Sequence, residues 1–172
     1  MQRVAGQMLQ IFDLENRAKI KSCTLPDVKY WRWVSNRLIG LVTTKSVYHW
    51  SLHNDTLPVK IFDRHAELGE ASQIISYQVS PDVKWCLLVG ISAGESYNIV
   101  HGCMQLYSAE KMASQILQGH AGTFACIPIN GRHDSAMVLC FESEKPCSAP
   151  QLYVMEIGRD KNAPGGVFRA EP

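Results

Sequence analysis

No stretch of this 172-residue chain comes near the roughly 18 consecutive apolar residues that a bilayer-spanning helix needs. The opening, MQRVAGQMLQIF, has neither the apolar run nor the small-residue cleavage site of a signal peptide, so no targeting segment is expected. Charge is sparse, with 19% charged residues and a net charge of +1, which gives no general attraction to nucleic acid or to an anionic membrane. Electrostatic recognition must then come from a local patch. None of the six cysteines (Cys23, Cys86, Cys103, Cys126, Cys140 and Cys147) forms a C-x-x-C pair, and several sit inside apolar runs. They read as buried, reduced thiols of a cytoplasmic protein rather than as disulfides or metal ligands. The sequon Asn54-Asp55-Thr56 then reads as an unmodified loop. No glycine-rich phosphate loop is present, and no pair of acids stands in a catalytic context. The histidines lack the spacing of a helical zinc site, so neither a metal nor a cofactor is expected. Long helical periodicity is missing too.

Hydrophobic residues, at 46%, suffice for a sizeable core. The length suits one domain or a piece of a larger one. The apolar residues fall in short runs rich in Val, Ile, Tyr, Phe and Trp, broken by turn formers, which predicts strands. Such runs are MLQIFDL from Met8, RAKIK from Arg17, YWRWV from Tyr30, LIGLVT from Leu38, SVYHWSL from Ser46 and VKIFD from Val59. Further ones are QIISYQV from Gln73, KWCLLVGI from Lys84, MQLYS from Met104, AMVLCFE from Ala136 and QLYVMEI from Gln151. The stretch AEKMASQIL from Ala109 has helical propensity but lies between strands, and reads as a turn into a strand. The order of the runs repeats. Residues 30–65 and 73–120 each give four strands, residues 124–157 the first three of another copy, and residues 8–23 the last two of an earlier one. Aligning the third strands superposes Phe12, Trp50, Tyr107 and Met155.

Four-stranded repeats of this length predict an all-β chain, a partial β-propeller of about three and a half blades. Each very apolar second strand would be sandwiched between blades. Because the count starts in mid-blade, the chain is expected to be part of a longer one.

Chemistry is thin. Gly90–Gly94, GISAG, matches the G-x-S-x-G elbow, but a short polar segment follows it instead of a helix, so Ser92 reads as a loop residue. His65 and His120 end two repeats alike and read as hydrogen-bonding ties between strands. The chain is therefore read as a binding protein and not an enzyme. Gln10 and Phe12 lie two apart on one strand and share a face, while Arg17, Lys19 and Lys21 alternate along the next. An aromatic, an amide and a row of cations would suit an extended acidic peptide with apolar anchors. The same lysines equally suit protection of a sheet edge. The tryptophans Trp31, Trp33, Trp50 and Trp85 read most simply as core or inter-blade packing, and the pattern equally allows Trp33 and Trp85 to line grooves between blades.

The strings LQIFDLE, YWRWVS, VYHWSL, PVKIFDRH, QIISY, WCLLVGIS, MQLYS and GHAGTFA, in that order, resemble the N-terminal domain of the clathrin heavy chain family from about Gly6 to Gly158. The resemblance implies a seven-bladed propeller, with residues 1–27 the end of its second blade, 28–66 the third, 67–121 the fourth and 122–158 most of the fifth. Residues 159–172 would be a tail or inter-blade linker. It also implies a structural, adaptor-binding role in clathrin-coated pits and vesicles, on their cytoplasmic face, during endocytosis and intracellular protein transport. The partners implied are adaptor proteins carrying short linear motifs, with membrane contact only through them. Light-chain binding and trimerisation would belong to a helical leg outside this sequence.

Three peptide sites follow by resemblance. A clathrin-box groove maps to Gln10, Phe12, Arg17 and Lys19, with Arg17 in place of a lysine and Met8 where threonine is common. A top-face site maps to Gln73 and Ile75. An arrestin-type groove maps to Trp85, Leu106, Lys111, Ala113 and Gln115, with Lys111 replacing an arginine and so losing its fork of donors. The loop from Ser92 to His101 is longer than in animal members. Two rival readings stand beside this one: a generic or truncated propeller scaffold that does not enter coats, and a hydrolase using Ser92.

Overall fold

The computed structural model describes residues 8–53, 56–96, 99–128, 135–143, 151–157 and 167–169. The chain divides into two compact units, residues 1–70 and 71–172. Asn54 and Asp55 of the sequon, His133 and Cys147 lie outside the described residues.

The first unit holds two sheets. Strands β1 (Met8–Asp13) and β2 (Ala18–Thr24) pair as a hairpin. Strands β3 (Val28–Ser35), β4 (Leu38–Thr43), β5 (Ser46–Ser51) and β6 (Val59–Asp63) form an antiparallel meander in chain order. Leu9, Ile11 and Cys23 on the hairpin pack against Ile39, Leu41 and Trp50 on the meander. The Trp50 indole N–H donates to the Thr56 carbonyl at 3.3 Å, so its one polar atom is satisfied although the ring is buried. A turn of 3-10 helix at Ala66–Leu68 follows, with the His65 imidazole accepting from the Glu67 amide.

The second unit stacks two meanders. One runs β7 (Gln73–Val79), β8 (Trp85–Ala93), β9 (Val100–Ser108) and β10 (Ala113–Gln118). The other runs β11 (Ala121–Pro128), β12 (Ser135–Ser143), β13 (Gln151–Ile157) and β14 (Val167–Arg169). Their seam is a core of Leu87, Val89, Met104 and Leu106 against Leu139, Phe141, Met155 and Ile157. Phe141 and Tyr153 stack with ring centroids 5.2 Å apart. Gln78 crosses this seam as a polar clamp, donating to the Gly122 carbonyl at 2.9 Å and accepting from the Thr123 hydroxyl at 3.1 Å.

Four-stranded antiparallel meanders stacked face on face are propeller blades, and the chain is a partial β-propeller. The second strands explain the stacking. On β8, both Leu87 and Val89 and their opposite-facing neighbours Cys86 and Leu88 are buried, so neither face of the strand meets water. That is why its sequence shows no polar alternation. The Ala109 stretch forms a turn and then β10, as its position between strands requires. The segment read as a tail contains β14, which adds to β13. The cysteines are less uniform than expected. Cys23 and Cys86 are buried, and burial raises both thiols above their ordinary pKa, but Cys126 is exposed and Cys103 and Cys140 are half-buried. Cys126 lies on β11, which among the described residues is an edge strand of its sheet.

Two outcomes are expected. Leu139→Ala, at the centre of the second seam, should cost about 2–5 kcal/mol in urea denaturation, because the rigid sheets collapse little around the cavity. Burial holds the half-buried His49 imidazole down to about 4 from its ordinary 6.5. The unfolded chain therefore binds a proton below pH 6.5 that the folded chain refuses. This contribution is neutral above pH 6.5, falls by up to ~1.4 kcal/mol per pH unit toward pH 4, and levels off below. Denaturation midpoints of the wild type and His49→Gln should diverge over that window and run parallel above it.

Candidate peptide-binding surfaces

The β1–β2 hairpin closes through Asp13. Its carboxylate accepts from the Asn16 amide and side chain, at 3.0 and 2.7 Å, and from the Glu15 amide at 2.9 Å. These bonds hold Asp13 below the usual carboxylate range, those from Asn16 foremost. The four-residue turn ends at Arg17 in the left-handed region, φ 50°. Strand β1 then alternates, with Leu9 and Ile11 toward the meander and Met8, Gln10 and Phe12 exposed on the other face. Phe12 keeps 54% of its surface in water.

A bulge decides which cations join that face. Ile11 pairs with Lys21 but Phe12 pairs with Lys19, so Ile20 is an extra residue on β2. One extra residue reverses the side-chain alternation. Lys19 thus stands opposite Phe12 on the outer face. Lys21 turns inward, where its ammonium donates to the Ser51 carbonyl at 2.8 Å and lies 5.8 Å from the centre of the Trp50 ring. The row of three cations is therefore two, Arg17 and Lys19, and Lys21 is structural. In the run Arg17–Cys23 the alternation breaks at Lys21-Ser22, which puts Lys21 on the face of the buried Cys23 and is the sequence trace of the bulge.

Behind β1 lies a groove of about 340 Å³ bordered by Leu9, Ile11, Trp31, Trp33, Ile39 and Leu41, so Trp33 takes the groove-lining alternative. Trp31 and Trp33 are 59% and 43% exposed, so these two are not core residues in the described structure. Gln10 and Phe12 touch this groove, whereas Arg17 and Lys19 do not border it.

In the second unit, Gln73 and Ile75 are both exposed on β7. Ile75 is the extra residue of another bulge, between the pairs Ile74–Gly90 and Ser76–Val89. The other predicted site is drawn together by register. Trp85, Ser108 and Ala113 form one row across β8, β9 and β10, and Leu87, Leu106 and Gln115 the next. Both rows lie on the seam face, with Trp85 at the margin of the core. Ala113 and Gln115 are exposed, and Lys111 is exposed in the preceding turn, its amide donating to the Ser108 hydroxyl at 3.3 Å. Leu106 is only 3% exposed and belongs to the core, so the open part of this surface is Trp85, Lys111, Ala113 and Gln115.

Ser92 lies inside β8, opposite His101 on β9, not on a strand-to-helix turn. The elbow geometry needed for a serine nucleophile is missing there. His120 makes the tie expected of it, bonding the Val100 carbonyl at 2.9 Å.

No protein-family model matches the sequence. Its fold is similar to part of an acylaminoacyl peptidase of Pyrococcus horikoshii, with a TM-score of 0.50 over 88% of this chain and 27% of that one. At 12% identity this likeness speaks for the fold alone. Sequence relatives are much nearer. A probable clathrin heavy chain 1 of Caenorhabditis elegans is 43% identical over 155 residues, 90% of this chain and 9% of its own length. Clathrin heavy chain 2 of Oryza sativa subsp. japonica is 43% identical over 164 residues, 91% of this chain and 10% of its own. Clathrin heavy chain 2 of Homo sapiens is 42% identical over 156 residues, again 90% and 9%. The chain thus spans about a tenth of the length of these curated relatives. Over nine tenths of its own residues it belongs to the clathrin heavy chain family, matching about a tenth of that much longer protein.

Proposed function

We propose that this chain serves as a structural and adaptor-binding segment of the clathrin coat, receiving short extended motifs on the margins of its stacked sheets. The observation that carries the reading is the cross-strand pair of Phe12 and Lys19, with Gln10 beside it, on an exposed face. An apolar ring next to an ammonium and an amide suits a leucine-rich segment with an acidic residue. Trp85, Lys111, Ala113 and Gln115 offer a second margin of the same kind, and Gln73 with Ile75 a third. Such sites bind weakly alone, and many copies in a lattice would raise the effective concentration enough for firm attachment. The setting is cytoplasmic, at coated pits and vesicles, in endocytosis and intracellular protein transport. Adaptors supply the contact with membrane, and the protein works by binding, without catalysis.

One observation favours the rival reading, a propeller scaffold outside coats. β9 is the counterpart of β1, and its residues Gln105 and Tyr107, in the places of Gln10 and Phe12, are 1% and 8% exposed. That face is a stacking face elsewhere in the chain.

Calorimetry with a short acidic, leucine-rich peptide separates the two. Replacing Gln10 and Phe12 together by alanine should weaken binding by about tenfold or more, as the loss of a central aromatic anchor does. Unchanged affinity would count against the peptide site. Binding should also weaken steadily as salt rises, because Arg17 and Lys19 are exposed and screened. A salt-insensitive affinity would remove both cations from the site.

A further inference from the structure

The last strand of a propeller blade is its outer edge, and natural sequences guard such edges with charge, proline or short length. Three of the last strands here are guarded. β2 carries Lys19 and Lys21, and β6 carries Lys60 and Asp63 with Pro58 just before it. β14 has only three residues and ends in Arg169. β10 differs: Ala113–Gln118, ASQILQ, holds neither a charge nor a proline over six residues. Its sheet is complete, β7 to β10 in chain order, and β11 of the next sheet follows it. The edge is therefore a property of the blade and not of a chain end.

The pairing register tells which backbone groups of β10 are left over. The Gly119 amide donates to the Gly102 carbonyl at 3.0 Å, and this pair continues the β10–β9 register. In an antiparallel ladder the residues that exchange bonds alternate. Leu117, Gln115 and Ala113 therefore bond to Met104, Leu106 and Ser108 of β9. The far side of β9 agrees. Ala109 donates to the Lys84 carbonyl at 2.8 Å, which assigns Tyr107 and Gln105 to β8. Ser114 and Ile116 are left with amides and carbonyls directed away from the sheet. The side chains of Ile116 and Leu117 are half-buried on opposite faces, so a strand laid beside them would cover both. Lys111 stands exposed in the turn before β10. Its neighbour Glu110 is taken by Lys84 at 2.8 Å, and Lys111 has no ion pair among the described residues.

We propose that β10 is a strand acceptor: an extended segment of a partner protein, apolar in its N-terminal half and acidic at its C-terminal end, adds antiparallel as a fifth strand. Backbone bonds to Ser114 and Ile116 supply the attraction. Direction supplies the specificity. An antiparallel segment lays its first half against Leu117 and Ile116 and finishes beside Lys111, where its acid meets the ammonium. A parallel segment would set the acid beside Gln118 instead. The inference goes beyond the peptide surfaces proposed above, since the backbone of β10 carries it and Lys111 alone is shared with the margin at Trp85.

The test uses the whole chain and a synthetic peptide, Thr-Val-Val-Thr-Thr-Thr-Asp, whose valines fall opposite Leu117 and Ile116. Binding should slow hydrogen exchange at the Ser114 and Ile116 amides by about tenfold or more, read residue by residue by NMR. N-methylation of the third and fifth peptide residues, which face those two positions, should abolish binding. N-methylation of the fourth and sixth, which face away, should leave it unchanged. The reversed peptide, and Lys111→Glu with the original one, should each bind about threefold or more weakly, the scale of an exposed ion pair. Replacing Gln10 and Phe12 by alanine should change nothing here, so this result stands or falls apart from the first peptide surface. Absence of protection at Ser114 and Ile116 would overturn the proposal. Equal binding by the two methylated peptides would overturn it as well, because side-chain docking at the Trp85 margin is indifferent to which amides are blocked. So would self-association of the chain through β10, seen by sedimentation, which would make a second copy the occupant.

Discussion

Burial of one strand on both of its faces is the constraint from which the remaining structure follows. A sheet that must hide its second strand from water twice over needs a neighbour on each side. The seam between the β7–β10 and β11–β14 sheets shows the result, with Leu87 and Val89 meeting Leu139 and Phe141. One row shows how closely the two sheets fit. Gly122 yields to Leu87, and the polar Gln78 is tolerated because the Gly122 carbonyl and the Thr123 hydroxyl satisfy its amide. Hydrophobic contact gives the stack its energy, and the amide clamp fixes how one sheet is seated on the next.

The same constraint limits where the proposed binding surfaces can lie. The middle of a seam is closed, as Leu106 shows, and can offer a ligand nothing. Its margins are different. There the rows run out toward the hairpin turns, and the half-buried Trp85 and the exposed Ala113 and Gln115 stand on strands whose backbone is already fixed. A ligand that docks there orders itself and not the protein, so the cost of binding falls mainly on the motif. Disordered motifs meet that cost and release quickly.

Much of this was legible in the sequence, because strands buried on two faces leave a strong mark. LIGLVT, VKIFD, QIISYQV and QLYVMEI coincide with β4, β6, β7 and β13 to the residue. The alignment of Trp50, Tyr107 and Met155 also holds, since each is buried on the equivalent face. Phe12 departs from its three counterparts for a reason no local pattern contains: its exposure depends on whether another sheet stacks on it. The bulges at Ile20 and Ile75 were missed, although each run breaks its alternation nearby, at Lys21-Ser22 and at Ile74-Ile75. A bulge is a property of two paired strands, so a break within one run does not by itself place it. The strand at Val167–Arg169 was missed because three residues are too few to show a period.

The Ile20 bulge shows how far a single unpaired residue reaches. Without it Lys19 and Lys21 would share a face, and the Trp50 ring would have no cation above it. With it, Lys21 caps the Ser51 carbonyl inside the first seam, and Lys19 is left beside Phe12. Lysine has the long apolar stem needed for the inward role, which buries methylenes while its ammonium reaches a carbonyl. The outward role asks only for a charge near a ring. One residue type thus supplies an internal brace and an external contact two positions apart, and the pairing register, not the composition, assigns them.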